Sequence, residues 1–196
     1  MKKSELKLKI YGKIQKSDIA IDQDLFDYGY DIFNDYVLFI VVSIIIALIF
    51  ENMNELLMFC IVFVPLRKNL GGFHLKNKSN CFIVSILIVL ITINIIKAIV
   101  IKSFTIFLAG YIFVFFITIW LGCQSHVNKP LNDSEKKAYK NKALFYEMLY
   151  FAIGLISIKV DRYDLVSSIF FTSLLCSFDV IIQYIKMKNI KMKMVE

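Results

Sequence analysis

Histidine, proline and cysteine are all scarce in this 196-residue chain, at two, two and four residues. The cysteines at 60, 81, 123 and 176 follow no framework spacing, and two lie inside apolar runs, which excludes a disulfide-stapled fold. The N-terminal stretch MKKSELKLKIYGKIQKSD is basic but has no continuous apolar run behind it, so no secretory signal is expected. Internal repeats, low-complexity tracts and a separate soluble domain are lacking too.

The most uneven absence is that of charge. Charged residues make up 20% of the chain and apolar ones 58%, a modest departure from a soluble domain. Their distribution decides the class, because charges are excluded from several long blocks rich in Phe and Ile. The chain reads as an all-α integral membrane protein. Apolar segments fall at 36–50, 53–66, 82–96, 103–122, 143–158 and 164–185, predicting about six transmembrane helices. The first two are short and meet at a turn near Glu51–Asn54, as a hairpin or a re-entrant pair.

The net charge of +7 is explained by topology and anionic lipid, with no call for nucleic acid. With both termini cytoplasmic, 19 of the 23 basic residues lie on the inner side, leaving Lys97, Lys102, Lys159 and Arg162 outside. Residues 1–35 read as an amphipathic interfacial segment. Leu6, Ile10 and Ile14 recur among lysines, and Leu25, Tyr28, Ile32 and Tyr36 form a second stripe beside Asp24, Asp27, Asp31 and Asp35. Residues 36–185 form the membrane domain, with cytoplasmic loops at 67–81 and 123–142, and 186–196 form a basic tail.

The loop 67–81, RKNLGGFHLKNKSNC, holds His74 and Cys81. A reactive thiol needs a base or an electropositive site to lower its pKa from about 8.5. Seven residues along a straight helix return to the same face but rise about 10.5 Å. Hydrogen-bond reach is only roughly 3 to 3.5 Å. A thiol–imidazole pair therefore requires a break in the helix. Gly71 and Gly72 permit a sharp turn or positive φ, and Ser79 or Asn80 suits the N-cap of the next helix. Cys81 would then lie in the first turn, near free amides and the helix dipole, with Arg67, Lys68, Lys76 and Lys78 adding positive potential. Spacing alone leaves an ordinary connecting loop and a catalytic one both open.

The pattern R-x4-G-x-H-x6-C (Arg67, Gly72, His74, Cys81) between apolar runs resembles the accessory gene regulator protein B (AgrB) family. The preceding DLFDYGYDIFNDY, the apolar runs and the later polar loop NKPLNDSEKKAYKNKA extend the resemblance over nearly the whole chain. It implies a membrane cysteine endopeptidase of the bacterial cell membrane that processes a quorum-sensing propeptide, AgrD. Cys81 would be the nucleophile and His74 its base. The thioester on Cys81 would be released by ring closure to a thiolactone or lactone. Arg67, Gly71 and Gly72 would support the loop, and Lys129, Lys136, Lys137, Lys140 and Lys142 would attract an acidic propeptide tail. A homodimer is implied as well, and no cofactor is.

Other readings concern the remaining polar residues. Cys123 and His126 with His74 and Cys81 could form a zinc site, but H-x6-C lacks structural-zinc spacing, and Cys60 and Cys176 read as packed apolar side chains. Glu147 and Asp179 lie inside apolar segments, so each is a candidate to orient His74 or to pair with Lys142 or Lys186. The alternative function is a non-enzymatic transporter or peptide-export component.

Overall fold

A computed structural model describes residues 7, 9, 11, 12, 22–72, 75, 77–123 and 131–193. The helices are α1 (Gln23–Ile49), α2 (Met53–Leu70), α3 (Lys78–Ala98), α4 (Phe104–Leu121), α5 (Asp133–Lys159) and α6 (Tyr163–Lys193). No strand occurs among the described residues. The chain divides into two compact units, Met1–Ile45 and Ile46–Glu196.

In the first unit, Lys7 pairs with Asp27 at 3.0 Å and lies over the Tyr30 ring at 5.7 Å. Tyr11 meets Phe26 with ring centroids 5.1 Å apart. Lys7 and Tyr11 are thus held on the acidic, aromatic start of α1. Residues 23–35 run on without a break into the apolar run behind them.

In the second unit, α6 packs against α2, α3, α4 and α5. Its buried face carries Ser167, Ser168, Thr172, Ser173 and Ser177 beside Val166, Ile169 and Val180. Small side chains let helices approach closely where the solvent gives no hydrophobic drive. Gly110 and Gly154 serve the same end, because a Cβ at either would overlap the ring of Phe170 or Phe107. Polar links cross the bundle. Tyr111 and Ser173 share a hydrogen bond of 3.1 Å, and Ser167 Oγ accepts from the Ile101 amide at 2.8 Å. Large apolar side chains such as Ile83, Leu87, Ile91, Phe116, Trp120, Phe178 and Ile182 face outward. Polar groups inside and apolar ones outside suit an apolar solvent.

Of the six spans expected, four are supported by length and composition among the described residues. The stretches Gln23–Ile49, Ser79–Ala98, Phe104–Leu121 and Tyr163–Asn189 are long and apolar enough to cross a membrane. Helix α2 falls short because its 18 residues include Glu55, Arg67 and Lys68. Helix α5 begins in the polar stretch DSEKKAYKNK and carries Glu147 in its apolar part. The first apolar segment is not short either, since α1 has 27 residues. The turn between α1 and α2 lies where expected, with Glu51 at φ 54°. Lys97 Nζ donates to the Phe50 and Glu51 carbonyls there, at 3.1 and 3.0 Å.

Pro65 inside α2 has no N–H to give the carbonyl four residues back, at Ile61. The Tyr150 hydroxyl donates to that carbonyl at 2.7 Å. Removing the hydroxyl leaves a backbone acceptor without a partner, so Tyr150→Phe should destabilise the protein by about 1–3 kcal/mol. In a Pro65→Ala background the restored amide should reduce that loss. Denaturant unfolding in detergent measures both, and equal losses in the two backgrounds would contradict this pairing.

Candidate functional site

The loop between α2 and α3 is built from two helix ends. Helix α2 stops at Leu70 because Gly71 adopts φ 74°, ψ −161°, and its amide closes the last turn onto the Arg67 carbonyl at 3.1 Å. A positive φ of this kind is open to glycine at little steric cost. Residues 71, 72, 75 and 77 are not helical, so 71–81 is not one unbroken helix. A break here is what the His74–Cys81 spacing demands of any thiol–imidazole pair. His74 itself lies outside the described residues.

Helix α3 starts at Lys78, and its N-cap is Asn77 rather than Ser79 or Asn80. Asn77 Oδ1 accepts from the Ser79 and Asn80 amides at 3.0 and 3.4 Å. Three good capping side chains stand within four positions, and the earliest takes the role. The Cys81 amide consequently makes the first helical bond, to the Asn77 carbonyl at 3.0 Å, and is not available as an oxyanion donor. Cys81 is half-buried. Its Cβ leans toward the helix N-terminus, over the first turn, where the partial positive charge of the dipole is concentrated. None of the four cysteines is in a disulfide.

Arg67, one turn before the end of α2, reaches across to α6. Its Nη1 lies 2.7 Å from Asp179 Oδ2 and 3.5 Å from the Gly71 carbonyl. Gly72 is buried against the same guanidinium, and a Cβ there would fall inside it. Gly71 therefore supplies the dihedral and Gly72 the space. The two glycines do different jobs, and only the first has a positive φ.

The two candidate carboxylates stand apart in their partners. Asp179 takes Arg67, whereas buried Glu147 accepts from Thr118 Oγ1 at 2.7 Å. The other Glu147 oxygen has no hydrogen-bond partner among the described residues. The basic segment is equally mixed. Lys136 pairs with Asp133 at 3.3 Å, and Lys137 is exposed. Lys140 Nζ donates to the Ile119 carbonyl at 2.6 Å, closing the end of α4, with its stem over Gly122. Lys129 and His126 lie outside the described residues. Cys123 and Cys176 are buried, whereas Cys60, expected to pack inside, is exposed on α2. Among the described residues no group of three His, Cys, Asp or Glu side chains could hold a metal ion.

These features define a helical membrane protein with a glycine-interrupted basic loop that presents a half-buried cysteine at a helix start. The chain belongs to the accessory gene regulator B (AgrB) family, whose model matches residues 8–185. Membership supports a role in quorum-sensing accessory gene regulation and AgrD processing, the work of a processing-protease family. No curated protein and no solved structure matches the chain.

The Asn77 cap carries a prediction of its own. Asn77→Ala should cost about 1 kcal/mol of stability and speed amide exchange at Ser79 and Asn80. Hydrogen-exchange mass spectrometry in detergent reads this, and unchanged exchange at both amides would count against the cap.

Proposed function

We propose that the protein is a membrane cysteine endopeptidase that cleaves the C-terminal part of an AgrD-like propeptide and closes the remainder into a ring. The observation that carries this reading is the seating of the R-x4-G-x-H-x6-C block. It spans the break between α2 and α3 and ends in a half-buried cysteine on the first turn of α3, in a chain of the AgrB family.

His74 takes the Cys81 proton, and the Cys81 thiolate adds to the carbonyl carbon at the cleavage site. The C–N bond breaks as the His74 imidazolium gives its proton to the departing amine. What remains is a thioester between Cys81 and the N-terminal part of the propeptide. An internal propeptide cysteine, or serine, loses its proton to His74 and attacks that thioester. Cys81 leaves as thiolate, is reprotonated by His74, and the ring is a thiolactone or lactone. Bond type barely changes in a thioester exchange, so the outcome turns on keeping water from the thioester. A loop at the membrane edge, with Cys81 half-buried, favours that exclusion.

The same reading puts both termini and this loop on the cytoplasmic side, where lysines gather and thiols stay reduced. It requires α2 and α5, less apolar than the four candidate spans, to return the chain across the membrane packed against α6. An acidic propeptide tail would meet Lys129, Lys136 and Lys137. Lys140 contributes less, because its ammonium group is bonded to the end of α4. The working form would be a homodimer in lipid.

Co-expression with the propeptide tests the proposal. Cys81→Ala should abolish cleavage while membrane insertion is retained, and His74→Ala should lower it by about 10²–10⁴-fold. Cleavage that survives Cys81→Ala would leave an export component as the better reading.

A further inference from the structure

Arg67 and Asp179 are 112 positions apart and on different helices, yet their side chains meet at 2.7 Å and are only 22% and 13% exposed. An arginine serving only as a charge at the headgroups would extend outward to water. Arg67 instead turns inward and lies across Gly72. Partly buried ion pairs contribute little net stability, and their best-attested value is in fixing register. This pair has a register to fix. Its guanidinium touches the carboxylate of α6, reaches toward the Gly71 carbonyl and fills the space over Gly72. The chain therefore leaves α2 pinned at three points just before the stretch that carries His74 and Cys81.

We propose that Asp179 is a positioning residue for the processing reaction: through Arg67 it clamps the Gly71–Gly72 turn and so sets where the reactive loop lies. Gly72 is part of the same device, since any side chain there would displace the guanidinium. The inference rests on the reading of Cys81 as nucleophile. It assigns Asp179 to Arg67, not to a catalytic triad.

Steady-state propeptide cleavage by the purified full chain in lipid vesicles tests the clamp. Loosening a loop that aligns reacting groups can cost ~100-fold in rate. Asp179→Asn should lower kcat by about that factor with KM little changed, and Asp179→Glu should restore most of it. Arg67→Ala should lose as much as Asp179→Asn, and in the Arg67→Ala background neither Asp179→Asn nor Gly72→Ala should cost anything further. Wild-type kcat in Asp179→Asn, or losses that multiply independently, would overturn the clamp. If Asp179→Asn fails to insert, Asp179→Glu and the Arg67→Ala/Asp179→Ala pair decide by the same criteria. Alkylation of Cys81, followed by peptide mass spectrometry without propeptide, gives a reading independent of turnover. Slower alkylation in Asp179→Asn supports the clamp, and an unchanged rate overturns it. Wild-type protein that does not cleave propeptide would defeat the proposed function, and the clamp would then stand or fall on alkylation.

Discussion

A helix bundle in an apolar solvent must satisfy its polar groups from within, since no water is there to do so. Most of the particular contacts in Ile46–Glu196 follow from that constraint. The carbonyl that Pro65 strands at Ile61 is met by Tyr150, and the end of α4 at Ile119 is met by Lys140. The turn after α1 is closed by Lys97. Buried Glu147 leans on Thr118, and the amide of Ile101 is taken by Ser167. The links from Tyr150, Lys140 and Glu147 join two helices, and those from Lys97 and Ser167 tie a helix to a connecting turn. Meeting polar demands thus also fixes which elements are neighbours. Helix α6 is central because its small hydroxyl residues allow both close packing and polar contact.

The same constraint locates chemistry. A helix can end only where its last carbonyls and the next helix's first amides find partners. Between Leu70 and Lys78 those partners are local: the Gly71 amide closes α2, and the Asn77 side chain and carbonyl open α3. At residues 71, 72, 75 and 77 the chain leaves helical geometry. A thiol at Cys81 with its base at His74 would require such a break, because seven residues of helix would hold the two about 10.5 Å apart. Arg67 and Asp179 add a tie from this loop to α6, coupling the loop to the most heavily packed helix.

How much of this was legible in the sequence depended on range. The break after Leu70 could be read from Gly71–Gly72 and the short polar run behind it, because dihedral freedom and capping are local properties. The cap itself could not, since Asn77, Ser79 and Asn80 are all competent and only the backbone path chooses among them. The span count exceeded the four candidate spans because apolar runs were counted without their helices. The run at 143–158 belongs to a helix that starts ten residues earlier in polar sequence, and the run at 53–66 to one that holds Glu55 and continues through Arg67 and Lys68. Asp179 was noticed as an intramembrane carboxylate, but no spacing rule could join it to Arg67. Gly72 was credited with turning the chain, whereas its place is set by the guanidinium beside it.

The account's central claim is that Cys81 carries the propeptide as a thioester. A propeptide whose internal cysteine is replaced by alanine cannot close the ring, so the intermediate should accumulate. Intact-protein mass spectrometry after mixing should show the wild-type chain heavier by the N-terminal part of the propeptide. The added mass should map to Cys81 and be removed by hydroxylamine. Cleavage of the unaltered propeptide with no such adduct forming on Cys81 would contradict the account.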